Sequence, residues 1–231
     1  MTQPSTYLVI PGLLKTEELI AIERLLQSAP FISGASTATD AAKLVKNNLQ
    51  MPMEGSAQKQ QIDAILFHAL NQSPLLQTAL TPVRVLPPII SKYEPGMHYG
   101  YHVDSPLMAN PQTGAIRADV AMTVYLSDPD SYVGGELSLI TPSGEQKYKL
   151  AKGDAIIYPC TQVHAVLPVT KGVRLAAVTW LQCAVRDPMK REILFQIKSA
   201  QTLVERKDNQ SPENLILLQA YSNLMRMWAE I

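Results

Sequence analysis

The sequence predicts a mainly β domain of the sandwich or jelly-roll type with helices at both ends (an α+β chain), and three observations carry that reading. From about Val83 to Cys183 the chain breaks into short β-branched or aromatic runs separated by the turn signals Pro95-Gly96, Asp128-Pro129-Asp130, Gly134-Gly135 and Pro142-Ser143-Gly144. Strands at this spacing favour antiparallel layers over alternating βαβ units. On either side of that stretch, apolar residues recur at helical spacing instead.

Taken in order, Thr16 is read as the N-cap of a helix over Glu17–Ser28, with Leu19, Ile22, Leu25 and Leu26 on one face behind two acidic residues in the first turn. A second helix is read over Thr39–Asn47. A third runs from Ser56 to about Asn71 with Ile62, Ile65, Leu66 and Ala69 aligned, and all three are expected on one side of a sheet. The strands expected are Val120–Leu126, Glu136–Ile140, Lys147–Leu150, Ala155–Tyr158, Ala165–Val169 and Val173–Leu181. Asp187-Pro188 then reads as N-cap and first residue of a helix to about Arg206, and Ser211-Pro212 repeats the device. The last helix carries Leu215, Leu218, Leu224, Met225 and Trp228, an apolar set for the β domain or for another subunit. The expected division is 1–82 as a support region, 83–185 as a β core and 186–231 as a C-terminal helical extension.

A chain of 231 residues can bury a substantial core. Its 20 basic and 20 acidic residues cancel, which argues against nucleic acid or an anionic membrane surface as partner. The opening Met1-Thr2-Gln3-Pro4-Ser5-Thr6-Tyr7 has no charged-then-apolar leader, and no run approaches the ~20 apolar residues that span a bilayer, so a cytoplasmic location is expected. Cys160 and Cys183 are too few for a disulfide framework and are read as free thiols.

The chemistry is concentrated in His102-Val103-Asp104, His164 and Arg174. Residues two apart in a strand share a face, so His102 and Asp104 can reach one metal while Val103 points away, with His164 arriving from a neighbouring strand. Two imidazoles and one carboxylate suit a divalent metal of intermediate hardness and leave coordination positions open. By itself, such a triplet is better explained by ordinary polar residues at strand ends, and the surrounding residues are what shift the balance. Between His164 and Arg174 the residues Ala165 to Val173 read as a hairpin with Gly172 closing a three-residue loop. That register sets Arg174 on the face of His164, roughly 13 Å along the backbone. A guanidinium in a β core calls for an anion, and a planar carboxylate matches its fork; an internal Asp or Glu is the alternative partner.

Together with Lys46-Asn47-Asn48-Leu49-Gln50, Tyr93-Glu94-Pro95-Gly96, Tyr132-Val133-Gly134-Gly135-Glu136-Leu137, Gly153-Asp154 through Tyr158-Pro159, and Trp180-Leu181-Gln182 before Arg186-Asp187, the chain resembles the iron(II)- and 2-oxoglutarate-dependent dioxygenases. The branch is the prolyl/lysyl hydroxylase-like one, with its bacterial PKHD-type hydroxylases. The resemblance implies a double-stranded β-helix in which His102, Asp104 and His164 are catalytic iron ligands and Arg174 holds the distal carboxylate of 2-oxoglutarate. Tyr93 is implied as a hydrogen-bonding partner of that carboxylate, and Trp180 as an aromatic wall of the cofactor pocket; without the family, core packing explains both aromatics.

The implied activity is hydroxylation of an aliphatic carbon coupled to decarboxylation of 2-oxoglutarate to succinate, with dioxygen as cosubstrate and L-ascorbate (vitamin C) as the rescuing reductant. The substrate is left open between a prolyl- or lysyl-type protein side chain and a siderophore-related small molecule, since bacterial relatives are associated with iron uptake. Two other readings stand beside it: a non-catalytic cupin-like sensor of metal or oxo acid, and a zinc hydrolase built on the same three ligands. His98, four before His102, Arg117, Asn48 and Gln50 are candidates for the pocket or its surroundings. Cys160 is a candidate ligand that burial as a small hydrophobe explains better, and His68 is read as structural. A homodimer through the C-terminal helices is one further option.

Overall fold

The run Val120–Tyr125 is buried at every position, which requires cover on both faces. Val120, Met122 and Val124 turn to one side, into an apolar cluster with Ile62, Leu66 and Leu70. Ala121 and Tyr125 turn to the other, against Leu137, Leu139 and Tyr158. The strand therefore separates a helix layer from a second sheet. That placement fixes everything else, because the functional cavity opens on its second face.

A computed structural model describes residues 7–37, 43–54, 56–110 and 114–230. Strand β1 (Leu8–Ile10) and helix α1 (Thr16–Gln27) come first, then β2 (Ile32–Ser33), β3 (Lys46–Asn47), β4 (Leu49–Gln50), α2 (Ala57–Gln72) and α3 (Pro74–Leu80). The β region holds β5 (Pro82–Val85), β6 (Ile89–Tyr93), β7 (His98–His102), β8 (Leu107–Asn110), β9 (Gly114–Arg117), β10 (Val120–Tyr125), β11 (Tyr132–Gly134) and β12 (Leu137–Thr141). It continues with β13 (Gly144–Tyr148), β14 (Ala155–Pro159), β15 (His164–Val166), β16 (Val169–Gly172) and β17 (Arg174–Cys183), before α4 (Pro188–Glu205) and α5 (Pro212–Trp228).

The larger sheet has the order β1-β14-β10-β17-β6-β4-β2 with β5 also on β17, and the smaller has the order β13-β12-β15-β7-β3. β11–β16 and β8–β9 form separate antiparallel pairs. Helices α1, α2 and α3 send Ile22, Ile62, Leu66, Ala69, Leu70, Leu76 and Leu80 onto the outer face of the larger sheet. No helix among the described residues is long and apolar enough to cross a membrane.

Most local signals act as read. The Ser56 hydroxyl accepts from the Lys59 N–H at 3.2 Å to start α2, and the Asp187 carboxylate accepts from the Met189 and Lys190 N–H groups to start α4. The Ser211 hydroxyl accepts from Asn214 N–H at 3.2 Å to start α5. Helix α3 escaped the sequence reading although Ser73-Pro74 opens it by the same Ser-Pro device, with Pro74 at its first turn.

Four expectations are corrected. In α1 the cap is Lys15, not Thr16: the Glu18 carboxylate reaches back 2.7 Å to the Lys15 N–H and supplies what the threonine was expected to give. Of the helix read over 39–47, residues 39–42 lie outside those described, and Lys46–Asn47 form a strand held by β7, since tertiary pairing overrides a short stretch of helical spacing. The run Ala165–Val169 is split at Leu167-Pro168 into β15 and β16, where proline cannot donate to a ladder.

The expected hairpin from β16 into the next strand does not form. β16 pairs with β11, and β17 crosses into the larger sheet between β10 and β6. Gly172 permits the crossing: its φ is +74°, and a Cβ there would sit 2.1 Å from the Ser131 carbonyl oxygen. Arg174 accordingly faces His164 from the opposite sheet, not from the same one. We expect Gly172→Ala to cost at least about 2 kcal/mol, since it adds backbone strain to a clash with main chain that cannot yield; urea unfolding measures the loss.

Candidate active site

His102 and His164 stand directly opposite each other on the antiparallel strands β7 and β15. Between the pairs His164↔His102 and Val166↔Tyr99, two residues of β7 (Gly100 and Tyr101) oppose one of β15 (Ala165), so β7 bulges. The bulge re-aims side chains that a regular strand would send to opposite faces. Tyr99 and His102 consequently stack, with ring centroids 3.7 Å apart and planes at 15°. The two imidazole centroids are 4.2 Å apart, and Tyr158 packs edge-on to His164 at 5.1 Å.

Each imidazole is locked by main chain. His102 Nδ1 donates to the Gly100 carbonyl at 2.8 Å and His164 Nδ1 to the Gln162 carbonyl at 2.9 Å, because a carbonyl only accepts. Both Nε2 lone pairs are thereby left facing the cavity. Burial, with His164 beside it, pulls His102 down to about 4, so its ring is neutral at pH 7.

Asp104 lies just past the end of β7 and not in the strand, yet its carboxylate turns to the same point. Its Oδ2 is 3.9 Å from His164 Nε2, is buried, and has no hydrogen-bond partner. Burial raises this carboxyl above its usual range. The ligand atoms of His102, Asp104 and His164 all lie within 4.8 Å of one another. Two imidazoles and an unsatisfied carboxylate around one point fit a divalent metal, which removes the cost of the orphaned oxygen.

Arg174 opens β17 opposite Tyr93 on β6 and is 1% exposed. Its Nε, Nη1 and Nη2 are all buried without a hydrogen bond, as is the Tyr132 hydroxyl. The guanidinium lies over the Tyr93 ring at 5.1 Å and the Tyr125 ring at 5.6 Å. Gly135 clears the path for it, since a Cβ there would come 3.1 Å from Arg174 Cδ. An internal Asp or Glu, the alternative partner, is absent among the described residues. The site asks for a planar anion from outside.

Both groups open on one cavity of about 1080 Å³. Along β17 the even-numbered residues Arg174, Val178 and Trp180 line it, so the shared face of Arg174 and Trp180 holds although the hairpin behind that expectation does not. The Trp180 indole N–H lies close to the Asp104 carboxyl, which it favours in its charged form without a formed hydrogen bond.

The remaining candidates are scattered. His98 is at the start of β7 with Nδ1 3.4 Å from the Gly96 carbonyl, outside the cavity wall, and His68 is exposed on α2. Arg117 pairs with Asp119 at 2.7 Å and with Glu230 at 3.2 Å, which ties the C-terminal end to the sheet. Gln50 is buried and accepts from Thr37 Oγ1 at 2.9 Å; Asn48 is buried with both amide atoms unpartnered. Cys160 is buried apart from the triad. Sequence reading missed Tyr99, Tyr125 and Tyr132; the inward parity of Tyr125 with Ala121 on one strand was the available signal for one of them.

Residues 88–182 match the 2OG-Fe(II) oxygenase superfamily and residues 189–230 the PKHD-type hydroxylase C-terminal domain. A PKHD-type hydroxylase from Synechococcus sp. (strain JA-2-3B'a(2-13)) is 42% identical over 224 residues, covering 97% of this chain and 99% of its own. One from Caulobacter sp. (strain K31) is 41% identical over 226 residues, covering 97% and 99%. This chain is a member of the PKHD-type hydroxylase family.

PKHD-type hydroxylases are iron(II)- and 2-oxoglutarate-dependent oxygenases, and iron(II) and 2-oxoglutarate are the cofactor and cosubstrate of this one. Its double-stranded β-helix is also that of a Pseudomonas putida prolyl-4-hydroxylase, with TM-score 0.50 and 19% identity over 77% of this chain and 92% of that one. A Trichoplax adhaerens prolyl hydroxylase, solved with a hypoxia inducible factor peptide, gives 0.52 and 16% over 82% and 87%. These two likenesses carry the fold.

Burial pushes the Cys183 thiol up to about 12 and the Cys160 thiol higher still. The reactive form is the thiolate, so both stay protonated through pH 10 in the folded PKHD-type hydroxylase. Iodoacetamide at pH 8 should label neither thiol natively and both after unfolding, as read by mass spectrometry.

Proposed function

We propose that His102, Asp104 and His164 are the catalytic iron(II) ligands and that Arg174 receives the distal carboxylate of 2-oxoglutarate. The observation that carries this is the Arg174 guanidinium, buried without an anion in the cavity that the triad also faces. A bare metal sensor or a zinc hydrolase has no use for such a clamp. Tyr93, beneath the guanidinium, and Trp180, farther along the same face, complete the cosubstrate wall in this reading.

The reaction takes an aliphatic C–H, 2-oxoglutarate and dioxygen to the alcohol, succinate and carbon dioxide. Iron(II), bound at the triad, supplies the open coordination positions and the redox chemistry that couple the two oxidations. The chain supplies the rest. Main-chain carbonyls orient the two imidazoles, the carboxylate balances charge, and Arg174 fixes the diacid so that its oxo-acid end points toward the triad. Packing by Tyr93, Tyr125 and Tyr158 keeps water from the reacting atoms. L-Ascorbate is the proposed reductant, and 83–185 the proposed catalytic core between the 1–82 support region and the 186–231 extension.

The substrate is a small molecule or a peptidyl side chain. The free, buried thiols fit a cytoplasmic enzyme. Leu215, Ile216 and Leu218 are exposed together on α5 and fit a homodimer through the C-terminal helices. Light scattering should then show a dimer that Leu218→Glu converts to a monomer.

Succinate release after anaerobic loading with iron(II), then 2-oxoglutarate and air, tests the central reading. Asp104→Ala should lower the rate more than about a hundredfold, beyond the cost typical of residues that merely support a ligand. Arg174→Met should raise the half-saturating 2-oxoglutarate concentration about tenfold to a hundredfold, the range of a charged hydrogen bond. If the wild-type protein makes no succinate and 2-oxoglutarate does not raise its melting temperature, the reading is wrong.

A further inference from the structure

The cavity extends well beyond the triad, and its far side is formed by the first turns of α2 and by the edge strand β3. Three cations line it: Arg174, Lys59 and Lys46. Arg174 is answered by the diacid. Lys59 is answered by Asp63, which it meets at 2.5 Å. Lys46 has no such answer, since among the described residues its Nζ reaches only the Thr37 hydroxyl at 3.0 Å and the Gln50 carbonyl oxygen at 3.4 Å.

Lys46 is held in place nonetheless. β3 pairs it with Tyr99, and its Nζ lies 5.1 Å from the centroid of the Tyr99 ring that stacks on His102. Gln50 is 1% exposed and anchors both Lys46 and Thr37 through one oxygen. A long, mobile side chain has thus been fixed on the cavity wall beside an imidazole of the triad, without a carboxylate of its own. Of the nearby acids, Asp63 is engaged by Lys59 and Glu54 is exposed to solvent, while Asp104 belongs to the triad and attracts Lys46 through space without a hydrogen bond. Burial pulls the Lys46 ammonium down to about 8, with the Asp104 carboxylate opposing the shift. The same cavity is also lined by the apolar Phe67, Leu86, Ile89 and Val178.

We propose that Lys46 is the anchor for the primary substrate's negative charge, and that this substrate is a small organic acid with its carboxylate on Lys46 and an apolar body along Phe67, Leu86, Ile89 and Val178. The inference rests on the dioxygenase reading and adds the substrate's class. Lys46 and Arg174 are two separate cations on the lining of one cavity, so one carboxylate site serves the cosubstrate and a second the substrate. The volume of about 1080 Å³ accommodates both molecules together.

The test uses protein loaded anaerobically with iron(II) and saturating 2-oxoglutarate, titrated calorimetrically with hexanoate, octanoate and decanoate and with their primary amides. We expect the acids to bind at least about tenfold more tightly than the amides. Lys46→Met should erase that preference and Lys46→Arg should keep most of it; a purely structural lysine would change neither ratio. Equal binding of acid and amide, no binding of any acid, a preference that survives in Lys46→Met, or competition between the acids and 2-oxoglutarate each overturns the assignment. Succinate release by wild-type protein in air without any added acid reads the dioxygenase separately. If succinate forms and the acids do not bind, only the anchor fails; if no succinate forms and 2-oxoglutarate does not raise the melting temperature, both fall.

Discussion

A guanidinium enclosed in a β-sandwich without an acidic neighbour is the constraint to which the rest of this structure answers. An unpaired charge in that position is costly, and the surroundings of Arg174 do not neutralise it; three tyrosines and a glycine only shape the space around it. A dicarboxylate on the guanidinium, as proposed above, would remove that cost. Folding has left one interaction unmade so that binding can make it. The same logic repeats at the Asp104 carboxylate, whose buried oxygen is satisfied only by a cation.

The two unmade interactions are held at a fixed separation by two different sheets. His102 and His164 belong to the smaller sheet and Arg174 to the larger, and the cavity is the gap between them. The core beneath β10 and β17 keeps that gap constant, since close-packed interiors resist small shifts. The helices are therefore not decoration: by covering the outer face of β10 they allow its inner face to be devoted to the site.

Much of this was legible in the sequence wherever the signal is local. The spacing in His102-Val103-Asp104, the even parity of Arg174 and Trp180, and the Asp187-Pro188 and Ser211-Pro212 helix starts each depend on neighbours along the chain. What failed depends on partners far away. The hairpin expected around Gly172 has good turn chemistry, yet β11 claims β16, and the chain turns out of the smaller sheet. Lys46–Asn47 look helical until β7 pairs with them. The bulge that brings Tyr99 onto His102 exists only in the register of two strands and has no signature in either. The hairpin register gave Arg174 the wrong neighbouring strand, although the cavity face it shares with Trp180 holds.

The imidazoles of His102 and His164 are oriented by carbonyl oxygens of the peptide backbone, two residues upstream in each case. A carbonyl is present whatever side chain its residue carries. Substitution at position 162 that spares the local backbone would not cost the metal site its alignment, whereas at Gly100 an added Cβ would meet Val45 at 2.9 Å. The precision of the centre is thus written in the polypeptide's main chain and insulated from drift in the side chains that supply it.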